Sequence, residues 1–109
     1  MLVLPVRNDP YFTFDSTLDG RIFRFVFRYN SLYDYFTFDL KTRNDEPLLM
    51  GKKLVINYEF IRRYSNERYP PGALVAVDTT GSFDRITLDN FGNEIKFIYI
   101  SEGELNDIL

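Results

Sequence analysis

The sequence predicts a mainly β protein: a small antiparallel β-barrel or sandwich that starts with a β-meander and carries one short helix near residues 58–64. Three observations carry that prediction. Apolar and polar residues alternate with a period of two over long stretches between Tyr11 and Lys41, the mark of strands with one buried face. Asp19-Gly20 stands between two of those stretches, and Asp-Gly suits a two-residue hairpin loop because both of its positions need φ > 0. Aromatic residues make up 17% of the chain, with eleven Phe and eight Tyr. Flat side chains favour half-buried pleated surfaces.

In Tyr11–Leu18, Phe12, Phe14 and Leu18 share one parity, while Thr13, Asp15 and Thr17 share the other. In Ile22–Tyr29, Phe23, Phe25, Phe27 and Tyr29 share a parity. A two-residue loop at Asp19-Gly20 opposes Leu18 to Arg21, Thr17 to Ile22 and Ser16 to Phe23. Farther out it opposes Asp15 to Arg24, Phe14 to Phe25 and Phe12 to Phe27. Aromatic residues then meet on one face and opposite charges on the other, and a slip of one residue destroys both matches. Each such cross-strand pair contributes about 0.2–1 kcal/mol.

A third strand is expected over Tyr35–Lys41, with Phe36, Phe38 and Leu40 on one face. A turn centred on Ser31-Leu32 sets Phe27 against Phe36 and Phe25 against Phe38. Thr42–Pro47 reads as a polar turn. Leu48–Met50 reads as a short strand broken by Gly51-Lys52-Lys53 and resumed by Leu54–Ile56. Asn57 is placed to cap the short helix Tyr58–Tyr64, with Phe60, Ile61 and Tyr64 inward at helical spacing. Ser65–Gly72 is a loop stiffened by Tyr69-Pro70-Pro71-Gly72. Ala73–Asp78 is an apolar strand, Thr79–Thr87 a second loop and Asp89–Asn93 a turn. Glu94–Ser101 closes the sequence of strands, with Ile95, Phe97 and Tyr99 on one face. Residues 1–101 are thus expected to form a single β domain. Residues 102–109 are expected to be an acidic C-terminal tail, frayed or held by a partner.

The composition narrows the chemistry. A length of 109 residues suits one domain. The chain has no Cys and no His. Disulfides, thiolate metal sites, Ser-His-Asp or Cys-His nucleophiles and His-ligated zinc are therefore unavailable. Six glycines are scattered at turns and form no phosphate-cradling loop. Asp89–Glu94 does not fit an EF-hand loop, because its third position is Phe91 and its sixth Glu94. A carboxylate hydrolase would need two carboxylates facing one cleft, and here most Asp and Glu fall at turns or strand ends. No enzyme activity, catalytic residue, cofactor or metal ligand is expected. No apolar run approaches the ~20 residues that span a bilayer. Met1–Arg7 is too short, and lacks the basic start, for a signal peptide. The formal net charge of −3 argues against nucleic acid as the main partner.

Candidate contact residues fall in three places. Arg24 and Arg28 interleave with Ile22 and Val26 on the polar face of the central strand, beside aromatics. Such a face can serve an oligonucleotide or a protein, or simply pair its own charges, as Asp15 opposite Arg24 suggests. Around the expected helix and the Pro-rich loop, Arg62, Arg63 and Arg68 lie with Tyr58, Tyr64, Tyr69, Pro70 and Pro71. Tyr and Arg are enriched at interface hot spots, although a solvated helix end also carries them. In the tail, Leu105 and Ile108 complete the set.

Thr17-Leu18-Asp19-Gly20-Arg21, followed by Phe23-Arg24-Phe25 and Arg28-Tyr29-Asn30, resembles the start of the small phage baseplate plug family. In order come Phe38-Asp39-Leu40, Pro47-Leu48-Leu49 with Gly51, Leu54-Val55, Arg63-Tyr64 and Pro70-Pro71-Gly72-Ala73-Leu74. Val77-Asp78-Thr79, Leu88-Asp89 with Gly92, and Tyr99-Ile100 complete the series. The resemblance runs from about Pro5 to Ile100. It departs in a richer aromatic content and in the extension Ser101–Leu109. It implies a structural component of a contractile phage tail baseplate, plugging or bridging the central hub or tube region. Its implied partners are other baseplate proteins (central hub, spike, tail-tube or wedge subunits), met in multiple symmetric copies. It implies a virion protein made in the host cytoplasm, with no catalytic residues to carry over; the composition, for its part, argues against a membrane or nucleic acid as partner. The alternative is a stand-alone binding module that uses the Arg24/Arg28 sheet face for an oligonucleotide or a protein.

Overall fold

The computed structural model describes residues 1–64 and 66–108. In chain order the elements are β1 (Leu2–Val3), β2 (Tyr11–Leu18), β3 (Arg21–Asn30), β4 (Tyr35–Thr42), β5 (Pro47–Lys53), β6 (Ala73–Asp78), β7 (Ile95–Ile100) and α1 (Glu102–Ile108). The strands make two antiparallel sheets, β2-β3-β4-β5 and β1-β7-β6. The sheets do not close into a barrel. They face each other as a sandwich, with one apolar cluster drawn from both.

The hairpin has the expected register throughout, from Leu18↔Arg21 to Phe12↔Phe27. Asp19 and Gly20 both have positive φ, 50° and 83°, as a tight turn matched to strand twist requires. Phe12, Phe25, Phe27 and Phe38 line the inner face. From the other sheet, Phe97 enters edge-on, 5.7 Å from Phe27 at 88° and 5.4 Å from Phe38 at 71°. Edge-to-face contact sets the positive ring edge against the negative ring face.

The second turn differs from the expectation. β3 pairs with β4 so that Phe27 opposes Phe38 and Tyr29 opposes Phe36, two residues away from the expected register. The cause is a longer turn. Asn30 Oδ1 accepts the N–H groups of Leu32 and Tyr33, and Asp34 takes a left-handed φ of 56°. Asn and Asp suit such turns because their short side chains bond the nearby backbone. A shift of two preserves the face of every side chain, so the Phe-lined surface survives.

Gly51 does not break the fifth strand. β5 runs through it with a register shift, Gly51 at φ 63° and its N–H donated to Asp39 Oδ1 at 2.7 Å. This is a bulge rather than a strand end. Leu54–Ile56 is not a resumed strand but crosses to the other sheet: Leu54 N–H bonds Phe36 O, and Ile56 bridges Ala76.

The helix expected at 58–64 is absent. Asn57 adopts φ 63° and caps nothing. Glu59 instead bridges Val75 on the edge of β6, and Phe60 donates its N–H to Leu74 O. The Glu59 carboxylate accepts the N–H groups of Ile61, Arg62 and Leu74. It thus satisfies donors that a helical turn would have used. A helix this short is marginal alone, and docking on a sheet edge outweighs it. Phe60 and Ile61 are nonetheless buried and Tyr64 half-buried, as the inward spacing implied.

Among the described residues the one helix lies where fraying was expected. Ser101 and Glu104 form a reciprocal cap: Glu104 N–H bonds Ser101 Oγ at 3.2 Å, and Ser101 N–H bonds Glu104 Oε1 at 3.0 Å. The Ser-x-x-Glu spacing in the sequence is the signal for it. The Met1 ammonium adds an ion pair to Glu104.

After β6 the chain turns on Asp78, whose carboxylate accepts the N–H groups of Thr80 and Phe83. Burial alone would raise its pKa, but these donors hold it at about 2, below its ordinary 3.8. A depressed folded pKa means the anchoring is complete above the unfolded value and is lost as pH falls through the folded one. In an NMR titration the Phe83 amide is expected to shift with a midpoint near pH 2, and Asp78→Asn to abolish that step. A midpoint at the ordinary 3.8 would contradict this anchoring.

Candidate interaction surfaces

The outer face of the four-stranded sheet carries Arg24 and Arg28, and both are engaged within the molecule. Arg24 Nε lies 2.9 Å from Asp15 Oδ1, and its Nη1 lies 2.6 Å from Asp45 Oδ1. These hydrogen bonds, Asp15 first, raise its pKa further and keep it charged. Arg28 Nη1 lies 2.7 Å from Asp39 Oδ2, and its guanidinium sits 5.8 Å above the Tyr11 ring. Asp39 is 2% exposed. Burial would push its carboxyl up, but Arg28 and the Gly51 N–H hold it below the usual range. A phosphate placed on this face would have to displace a carboxylate already in contact with each arginine.

A different surface gathers the aromatic candidates. An open groove of about 1230 Å³ runs between the β2–β3 and β4–β5 turns on one side and residues 61–64 and 66–72 on the other. Arg62, Tyr64, Arg68, Tyr69, Pro70 and Pro71 all line it. Tyr64 and Tyr69 stack at 4.7 Å with their planes 6° apart. Tyr69 OH donates to Leu48 O at 2.8 Å. Arg21 clamps the loop by donating to Glu67 O at 2.7 Å and Tyr69 O at 2.8 Å, while its guanidinium lies over Phe23. Pro70 is buried and Pro71 exposed. Arg68 lies 3.8 Å from Glu46.

The end of this wall is tied to the rest of the fold. Gly72 donates its N–H to Tyr99 OH at 2.8 Å, and Tyr99 OH donates to Asp19 Oδ2 at 2.5 Å. Asp19 also accepts the first N–H of α1, from Glu102. Burial and the Asp19 bond push the Tyr99 phenol pKa up, so it stays a donor. The hairpin turn, β7, the Pro-rich loop and the start of α1 therefore meet at the hydrogen-bonded pair of Tyr99 hydroxyl and Asp19 carboxylate.

Tyr58 and Leu105 lie apart from the groove. Tyr58 packs its edge on Phe60 at 5.1 Å beneath Arg63. Leu105 is half-buried on α1. The side chain expected of Ile108 lies outside the described residues. Arg21 and Arg43 were not among the expected contact residues, yet both line the groove. Arg43 sits in a polar turn far along the chain from the Pro-rich loop, and only the tertiary fold brings the two together.

Against known families, residues 1–102 match the model described as cyanophage baseplate Pam3 plug gp18. The chain belongs to this baseplate plug family. No curated protein matches it. Membership makes this plug-family chain a phage structural protein of the baseplate, with other baseplate components as its setting and the virion as its place. Among the described residues, no helix of this plug protein is long and apolar enough to cross a membrane.

Proposed function

We propose that this protein plugs or bridges the central hub or tube region of a contractile tail baseplate, in several symmetric copies. Its partners in this reading are central hub, spike, tail-tube or wedge subunits, and it is made in the host cytoplasm before assembly. The observation that carries the reading is the family match across residues 1–102. The fold suits such a role, because two sheets lock one aromatic core and the groove is built from stacked and clamped side chains. A pre-ordered contact surface loses little entropy on assembly. The groove residues Arg62, Tyr64, Arg68, Tyr69, Pro70 and Pro71 form the proposed contact with a neighbour. A stand-alone oligonucleotide role gains nothing from Arg24 and Arg28, since each already contacts a carboxylate.

Purified particles test this directly. Quantitative mass spectrometry is expected to find the protein at a fixed stoichiometry to the tail-tube protein, and cryo-electron microscopy to place it on the tail axis at the baseplate. Its absence from purified, infectious virions would overturn the reading.

A further inference from the structure

We infer that the groove between the two hairpin turns and the Pro-rich loop docks an extended acidic segment of a partner protein, with Arg43 and Arg62 binding its side-chain carboxylates. That the partner is a baseplate protein rests on the function proposed above; the carboxylate chemistry does not.

Charge gives the first argument. The chain as a whole is acidic, at −3. The groove departs from that balance: its lining holds Arg21, Arg43, Arg62 and Arg68 against Glu46, Glu67 and Glu102. Arg21 is held by backbone carbonyls, which orient it without neutralising it. Arg43 and Arg62 are exposed and have no ion pair among the described residues. One stands in the β4–β5 turn and the other in the facing segment, so a chain laid between them meets a guanidinium from each side. A guanidinium grips a carboxylate through two parallel N–H bonds, and charge-assisted bonds of this kind are about twice as strong as neutral ones.

Shape gives the second. The same lining holds Phe23, Ile61 and the stacked Tyr64–Tyr69 pair. The half-exposed Tyr64 and Tyr69 rings offer surface for apolar or aliphatic parts of a peptide between its acidic residues. The walls are already ordered by the Arg21 clamp and by Tyr69 on Leu48.

The three glutamates decide between classes of anion. A phosphodiester strand carries a charge at every unit and binds chiefly through the number of phosphates neutralised. Three glutamates in the same lining as the arginines repel such a continuous row. A peptide can instead space its carboxylates to meet the arginines and avoid the glutamates.

The test is an NMR titration of ¹⁵N-labelled full-length protein at about 20 mM salt, where screening is weak. The probe is a blocked octapeptide alternating Glu and Ala, with a Lys-Ala octapeptide and an eight-nucleotide oligo-dT beside it. Saturable shifts are expected for the acidic peptide at the Nε–Hε groups of Arg43 and Arg62, and none for the basic one. Arg43→Ala and Arg62→Ala should each weaken binding on the order of tenfold. Arg7→Ala, away from the groove, should leave it unchanged. No saturable shift, shifts confined to another surface, or oligo-dT binding as tightly as the acidic peptide would each overturn the inference. None of these results bears on whether the protein is found in the virion, so the two readings fail separately.

Discussion

Replacing Phe27 with Ala is expected to cost about 3–5 kcal/mol of folding stability, which is a large share of the ~5–15 kcal/mol that holds a typical domain together. Phe27 is fully buried at the middle of β3, a strand paired on both sides. Its ring lies 4.8 Å from Phe12, 5.8 Å from Phe38, 5.6 Å from Phe91 and 5.7 Å from Phe97. Those neighbours come from β2, β4, β7 and the turn that precedes β7. Removing the ring opens a void that no single element can move to fill, because each neighbour is held by its own ladder or turn. Residual cavity is the part of the cost that varies most between sites, so this position lies near the top of the range. Phe14 is the proper comparison. It shares the same face and touches Phe25 and Phe27, but it lies on the edge strand and is only half-buried. Phe14→Ala should cost clearly less. Urea unfolding followed by far-ultraviolet circular dichroism measures both, and a loss under about 1 kcal/mol for Phe27→Ala would contradict a rigid shared core.

The hairpin that presents Phe27 was legible because every determinant of it is local. Asp19-Gly20 sets the turn, alternation sets the faces, and the Asp15–Arg24 match fixes the register. At the next turn the determinants are still local but subtler. The Asn30 side chain stabilises a longer loop, and the register moves by two. At residues 58–64 the local signal misleads. Asn57, Phe60, Ile61 and Tyr64 carry helical spacing, but Glu59 meets the open edge of β6, and no local pattern contains that edge. The C-terminal helix is the opposite case. Ser101-x-x-Glu104 is a complete local cap, outweighed in the reading of the sequence by the acidity of the tail. The groove divides along the same line. The Tyr and Arg residues of its Pro-rich wall are visible in the sequence as a cluster. Arg21 and Arg43 join them only through the closing of two hairpins against a loop some distance along the chain.

Gly72→Ala should also be clearly destabilising, for the opposite reason. A Cβ at Gly72 would stand 2.0 Å from the carbonyl oxygen of Ile100 and 2.7 Å from both Cζ and OH of Tyr99. Neither obstacle can yield cheaply. The first is strand backbone in β7, and the second is a buried phenol fixed by Asp19. Overpacking of this kind costs about 1–3 kcal/mol or more, and displacement of the Tyr99 ring also threatens the hydroxyl that accepts the Gly72 N–H. Tyr99→Phe separates the two contributions. It keeps the ring, removes the shared hydroxyl and leaves the buried Gly72 N–H unpaired, at about 1–3 kcal/mol. In the Tyr99→Phe background the Gly72→Ala cost should shrink, since the contact with the hydroxyl has gone, yet remain, since the Ile100 carbonyl and the ring Cζ are still in the way. A double-mutant cycle by urea unfolding reads that coupling directly. Full additivity would mean that the hydroxyl is not part of the junction described. The effect should reach the groove as well. Gly72 ends the wall that carries Tyr69, Pro70 and Pro71, so a shift forced there turns those residues away from Arg21. Under conditions where Gly72→Ala remains folded, its affinity for the acidic octapeptide should fall with its stability. Tyr99→Phe, which leaves the space around Gly72 open, should retain most of it.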